Sequence, residues 1–203
     1  GYWYYIDPTT GRVSGVTAID GKTYVFDSAG RRVWGGWQQV GGQRTYVAND
    51  GSLSTGWQAI VGYWYYLTDG VPATGLAKVG TNYYLFDSQG RRAWQGLAMA
   101  DGKTYCADIN GSPITGWQAV GGYWYYFDPV ANGAAATGLV KIGTGSYLFD
   151  SEGHRVWQGW NTVGGKTYYA DASGGPVTGW QAISGYWYYL DPANNGVLAA
   201  GLV

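Results

Sequence analysis

The chain has 203 residues, of which 36 are Gly, 20 Tyr and 12 Trp, while only 12% are charged, about half the share usual in globular proteins. A net charge of −1 leaves no field to hold nucleic acid or an anionic membrane. A lone cysteine, Cys106, excludes an intramolecular disulfide and a cysteine-based zinc site, and no apolar run approaches the roughly 18 residues of a membrane span.

Taken in order, the chain is a series of near-copies. It opens on Tyr2-Trp3-Tyr4-Tyr5 without a charged-then-apolar leader. Gly15-Val16 begins a recurring start, followed by Gly36-Trp37, Gly56-Trp57, Gly75-Leu76, Gly96-Leu97, Gly116-Trp117, Gly138-Leu139, Gly159-Trp160, Gly179-Trp180 and Gly201-Leu202, at intervals of 19 to 22 residues. Each unit runs from an apolar start through a glycine turn into an aromatic strand, then to Asp and a second glycine turn. Two short strands about a glycine turn predict a hairpin. A single hairpin is marginal in water, so neighbours must stack. The expected fold is therefore all-β: a β-solenoid of about ten stacked hairpins, with no helix longer than one turn. Because a repeat phrase stands at each end, residues 1–203 are expected to be one repeat module cut within a repeat at both ends, a piece of a longer protein.

Units come in three kinds in strict order. The first carries Tyr-Trp-Tyr-Tyr, at residues 2–5, 63–66, 123–126 and 186–189. The second carries Phe-Asp-Ser, a basic pair and a Trp: Arg31, Arg32 and Trp34; Arg91, Arg92 and Trp94; His154, Arg155 and Trp157. The third carries Tyr, Ala and then Asp or Asn, as at Tyr168, Ala170 and Asp171. This triple order predicts about three hairpins per superhelical turn. Aligned second strands give a column read as Tyr4, Tyr24, Tyr46, Tyr65, Tyr84, Tyr105, Tyr125, Tyr147, Tyr168 and Tyr188, with an apolar residue two places on. Residues i and i+2 share a strand face, so this face is expected to be packed. The opposite face varies from Trp64 and Tyr66 to Thr167 and Tyr169; function is expected there.

The phrase Gly-Trp-Gln-Ala-x-x-Gly-Tyr-Trp-Tyr-Tyr resembles the cell-wall-binding repeats of choline-binding proteins. It is similar also to the glucan-binding repeats of glucansucrases and the C-terminal repeats of large clostridial toxins. The resemblance implies a hairpin solenoid attached to catalytic or adhesive domains of secreted bacterial proteins. It implies, too, two walls of an aromatic cage at Trp57 with Trp64, Trp117 with Trp124, and Trp180 with Trp187. Tyr66 and Tyr126 lie beside them, and Tyr83 is the expected third wall of the first cage. Ser146 stands at the matching position of the second, and the lone methionine, Met99, lies outside the turn where the family places it.

Indole pairs suit either a quaternary ammonium, through cation–π attraction, or a sugar ring packing its C–H face. The expected function is a non-catalytic module binding a bacterial cell-wall polymer, glucan or other glycan. The alternatives are choline on teichoic acid and a spacer rod without a small ligand. Catalytic residues, cofactors and metal ligands are not expected. The Asp residues recur in one turn slot, without the distinct carboxylate pair of a glycosidase, and His154 stands where other units have Arg. Trp34, Trp94 and Trp157 are expected to pack between repeats, with a secondary site as the weaker option. The basic pairs are expected to be solvated, with a phosphate-binding stripe again the weaker option.

Overall fold

The computed structural model describes residues 1–200, so the last start of the series, Gly201-Leu202, lies outside the described residues. Among the described residues the structure is β throughout except for one three-residue 3-10 turn, Pro192–Asn194. Full hairpins follow one another from Gly15–Ile19 with Lys22–Phe26 to Gly179–Ile183 with Tyr186–Asp191, after a partial one in which Ile6–Asp7 pairs with Gly11–Arg12. We number them 1 to 10 from the N-terminus. The described chain divides into two compact units, residues 1–94 with 110–112, holding hairpins 1 to 5, and residues 95–109 with 113–200, holding hairpins 6 to 10. Each unit is a stack of hairpins of the solenoid kind.

Most hairpins close on a two-residue turn with both residues left-handed, as at Asp20-Gly21, Asp101-Gly102 and Ser184-Gly185, whereas in Gly80-Thr81 and Gly143-Thr144 only the glycine is. These turns match the right-handed twist of short strands. Val61-Gly62 does the same with a β-branched residue at φ 47°, where its Cβ is crowded by the following carbonyl. Val61 is 90% exposed, so nothing it packs against repays that strain.

A third segment locks each hairpin to the one before. After the second turn the chain pairs back on its own second strand, as at Leu67↔Pro72, Phe127↔Ala135 and Leu190↔Leu198. It also bonds to the preceding hairpin's second strand: Arg32 N–H donates to Trp3 O, Leu53 to Thr23 O and Arg92 to Trp64 O in the first unit, and Arg155 to Trp124 O in the second. In the second unit this wedge joins two hairpins into one five-stranded sheet, twice. The turn glycine makes the approach possible. Gly70 has φ +77°, and a Cβ there would lie 2.5 Å from Thr45 Cγ2 and 2.8 Å from Tyr46 O, while its own carbonyl accepts from Tyr46 N–H at 2.8 Å.

The core is a row rather than a centre. The residue paired opposite the starting glycine is buried in all nine full hairpins: Phe26, Val47, Leu67, Phe86, Ala107, Phe127, Phe149, Ala170 and Leu190. The tyrosine column two places earlier is packed unevenly. Tyr65, Tyr105, Tyr125 and Tyr168 are buried, Tyr24, Tyr84, Tyr147 and Tyr188 are half-buried, and Tyr4 is 41% exposed. One member was misassigned from sequence. In hairpin 3, Trp37 pairs with Tyr46 and Gln38 with Thr45, so the column residue is Thr45, 3% exposed, and Tyr46 belongs to the other face. A single-residue shift of register flips a side chain across the sheet, and an adjacent Tyr disguised the shift.

Two substitutions test these geometries. Gly70→Ala forces a Cβ into backbone at positive φ and should cost about 2–4 kcal/mol. Val61→Asn, which tolerates the left-handed region, should stabilise by about 1 kcal/mol. Chemical denaturation of both variants measures each effect.

Candidate functional site

The variable face of one hairpin lies against the constant face of the next, and that contact builds the site. In hairpin 4 the Trp57 ring meets Tyr66 of its own hairpin at 5.4 Å and Trp64 at 6.4 Å. From hairpin 5 it receives Tyr84 edge-on at 4.9 Å and Phe86 stacked at 5.8 Å. Hairpins 7 and 8 repeat this around Trp117: Tyr126 at 5.3 Å, Trp124 at 6.5 Å, Tyr147 at 5.0 Å and Phe149 at 5.7 Å. Trp57 and Trp117 are half-buried, whereas Trp64 and Trp124 are 43% and 42% exposed. Each nest thus has a packed floor and an open indole rim.

The ring that closes each nest differs from the one expected. Tyr83 makes no ring contact with Trp57; its ring lies 5.9 Å from Lys78 Nζ. Adjacent strand residues point to opposite faces, so it is Tyr84, the packed-column residue, that reaches back. For the same reason Ser146 leaves no gap in the second nest, since Tyr147 occupies the equivalent place. At the third expected pair, Trp180 keeps Tyr189 at 5.2 Å, while Trp180 and Trp187 are 58% and 70% exposed.

Two further nests centre on tryptophans outside the expected set. Trp37 touches Tyr46 at 5.2 Å and Tyr65 at 5.0 Å, and Trp160 touches Tyr169 at 5.2 Å and Tyr188 at 4.8 Å. Neither hairpin has a strand tryptophan. Arg44 stands at that place in hairpin 3, with its guanidinium carbon 3.4 Å from the centroid of the Trp37 ring, and Thr167 stands there in hairpin 9. A cleft of about 200 Å³ is lined by Trp3, Tyr5, Tyr24, Phe26 and Arg32, the corresponding surface of hairpins 1 and 2. A ring-free groove of about 550 Å³ runs past Met99, Lys103, Thr104, Ala135 and Glu152.

The basic pairs are not merely solvated. Arg31 bonds Asp27 at 2.7 Å and Arg91 bonds Asp87 at 2.6 Å, while His154 Nδ1 lies 2.8 Å from Asp150. Each of these groups also lies on a tyrosine of the preceding hairpin: the Arg31 and Arg91 guanidinium groups on Tyr2 and Tyr63, and the His154 ring stacked on Tyr123. With a carboxylate beside each first partner, a free basic stripe for phosphate is not formed by them. The grouping of Asp150, Glu152 and His154 is the same aspartate turn, in which Asp150 Oδ1 accepts the amides of Glu152 and His154. The packing role expected of Trp34, Trp94 and Trp157 is also corrected. They are 42%, 59% and 58% exposed, while the stems of Arg32, Arg92 and Arg155 lie over turn glycines Gly51, Gly111 and Gly174.

Turn carboxylates bear on stability. Bonds from the Lys22 ammonium, then from Ser52, hold the Asp50 carboxyl well below its usual range. The Arg31 backbone amide, then the Arg31 side chain, lowers Asp27 against the opposing cost of burial. Depressed folded-state values stabilise the fold above the ordinary aspartate pKa of about 3.9 and cease to do so as pH falls through the folded values. The melting temperature should therefore be level from about pH 5 to 7 and fall below about pH 4, less steeply in Asp50→Asn; calorimetry across pH checks this.

An all-β hairpin repeat whose successive members share ring nests defines the class: a repeat-built binding fold. Residues 157–201 match the choline-binding repeat family and residues 115–129 the cell wall binding repeat, so the hairpins within those residues match repeats of the choline-binding, cell-wall-binding type. The chain is 32% identical over 163 residues to Glucosyltransferase-S of Streptococcus mutans, covering 77% of this chain but 11% of that protein. It is 29% identical over 185 residues to Glucosyltransferase-I of Streptococcus downei, covering 87% of this chain and 12% of that one. Among solved structures, CbpJ of Streptococcus pneumoniae TIGR4 superposes with a TM-score of 0.62 at 26% identity, over 99% of this chain and 88% of that one. The choline-binding domain of CbpL from the same species gives 0.55 at 27%, over 94% and 100%.

Proposed function

We propose that this chain is a non-catalytic binding module, acting as one repeat module, that attaches a secreted parent protein to a bacterial cell-surface polymer or polysaccharide. The pair of matching ring nests at Trp57 and Trp117 carries the proposal. Each joins a packed floor to an exposed strand indole, a surface that takes the C–H face of a sugar ring while polar rims bond its hydroxyls. Glycan is the favoured ligand, in keeping with the glucosyltransferases among the relatives. Several weak sites in one chain add avidity without requiring a strong single contact.

The alternative ligand is choline. The seating of the Arg44 guanidinium on Trp37 favours it, because the same kind of nest there holds an organic cation. It also accords with the choline-binding domain of CbpL among similar structures.

Trp64→Thr and Trp124→Thr test the proposal, since Thr104 and Thr167 stand at that place in hairpins that fold. Each should weaken binding at its own nest by about 1–2 kcal/mol and leave the melting temperature nearly unchanged. Tyr65→Thr, which strips a buried ring, should lower melting instead. Isothermal titration with α-glucan oligosaccharides and with choline, beside calorimetry, reads both effects; unchanged affinity for every ligand together with unfolding would make the indoles structural.

A further inference from the structure

We infer that the ring-free groove of the second unit is a binding site of its own, for a short zwitterionic peptide of small residues, with Lys103 meeting its carboxylate end and Glu152 its amine end. The site is separate from the ring nests and does not rest on their role. The groove, of about 550 Å³, is bounded by the closing turn of hairpin 6, at Gly102 and Lys103, and by the second turn of hairpin 8, at Ser151 and Glu152. The segment after the second turn of hairpin 7 lies between them: Ala134 pairs with Tyr105 of hairpin 6, and Ala135 packs against Gly153 of hairpin 8. The volume falls in the range of small-molecule sites.

The first unit shows what opens this groove. There Arg44 of hairpin 3 crosses the equivalent span, and its Nη1 donates to the Gln89 carbonyl in the second turn of hairpin 5. Arg44 pairs with Gln39 as Thr104 pairs with Met99, and the amides of Gln89 and Glu152 each donate to the turn aspartate two residues before them. Thr104 is too short for that crossing, and its hydroxyl bonds Met99 Sδ at 3.3 Å instead. The turn of hairpin 7 is also longer. In hairpin 4, Thr68 pairs with Val71 across Asp69 and Gly70, whereas in hairpin 7 Asp128 pairs with Ala134, and the added residues supply Ala131 as a wall. Gln43 and Gln89 of the first unit are uncharged, while Lys103 and Glu152 at those places carry opposite charges.

The occupant follows from this chemistry. None of the lining residues is aromatic, so the groove offers neither a face for a sugar ring nor cation–π attraction. Alanine methyls along it pack against small apolar side chains, and the Thr137 hydroxyl is a partner for a peptide amide. Among the described residues neither Lys103 nor Glu152 is in an ion pair. Glu152 Oε2 accepts from Ser151 Oγ at 2.7 Å, and its other oxygen is available to a ligand ammonium. An ammonium on one turn and a carboxylate on another complement a ligand that carries both charges, and they set its direction.

The test uses the whole chain with carbon-13 in the methionine methyl. Met99 is the sole methionine, lines the groove and is 64% exposed, so a single resonance reports on this site. Tri-alanine is the probe; its N-acetyl, C-amide and doubly capped forms, maltotriose and sodium chloride are the comparisons. The resonance should shift saturably with tri-alanine and stay still with maltotriose and with salt. Glu152→Gln should weaken tri-alanine about three- to fivefold, the size of one solvent-facing charge pair, and leave the N-acetyl form unaffected. Lys103→Gln should weaken tri-alanine to the same degree and leave the C-amide form unaffected. Thr104→Arg, which rebuilds the crossing made by Arg44, should abolish the shift while the melting temperature holds. A still Met99 resonance, an equal response to the doubly capped peptide, or a response that survives Thr104→Arg undiminished would each overturn the inference. A saturable response to maltotriose alone would also overturn it and make the groove a glycan site. None of these results bears on the ring nests, which the titrations of Trp64→Thr and Trp124→Thr judge separately.

Discussion

Everything in this protein depends on how closely one hairpin can approach the next. The contact is made through backbone: the segment after each second turn pairs with its own hairpin and with the preceding one, through bonds such as Arg92 N–H to Trp64 O. That segment can enter only where the turn residue carries no Cβ, as Gly70 illustrates against Tyr46 O. Polar backbone pairing thus fixes the spacing, and side chains fill what remains. The remaining space divides into a row of buried Phe, Leu, Val and Ala, and a set of aromatic nests that open outward. Fold and site are consequently two products of one interface. A chain with few charges and no central core can be stable this way because each repeat buries its apolar row against its neighbour.

The nests show how a repeat protein can vary its surface without disturbing that interface. The constant face of each hairpin supplies the floor, in the form of Tyr84 and Phe86 or Tyr147 and Phe149. The preceding hairpin's variable strand position then sets what the nest presents: an indole at Trp64 and Trp124, a cation at Arg44, a hydroxyl at Thr167. A single substitution there changes a rim while the backbone ladder beneath is untouched. Elsewhere the interface is tied by ionic groups on rings. Arg31 and Arg91 lie on Tyr2 and Tyr63, each held by its aspartate, contacts that orient side chains more than they stabilise.

Much of this was legible in the sequence, for a physical reason. Turn chemistry is local: Asp20-Gly21 and its counterparts fix hairpin geometry whatever surrounds them, so hairpin number and phase could be read from glycine spacing. Aspartates repeated before a glycine turn announced the bonds that Asp27 and Asp150 make. What could not be read was which face of one hairpin meets which face of the next. That ambiguity placed the third wall at Tyr83 instead of Tyr84 and took Ser146 for a gap. In hairpin 3 the adjacent Thr45 and Tyr46 offered two registers, and only the pairing of Trp37 with Tyr46 decides between them. Trp94 and Trp157 were expected to pack because a tryptophan is highly buried on average, whereas here they are 59% and 58% exposed. The signal that would have found the Trp37 and Trp160 nests is the Gly-Trp start itself, which is present in both.

The central claim is that ligand enters the nests shared by consecutive hairpins. A crystal structure of the chain soaked with choline and with an α-glucan oligosaccharide tests it most directly. Ligand density against Trp57 and Trp64 with Tyr84, or against Trp117 and Trp124 with Tyr147, is the predicted result. Density confined to the exposed connecting residues Trp94 and Trp157, or to the ring-free groove beside Met99 and Glu152, with every nest empty, would contradict it.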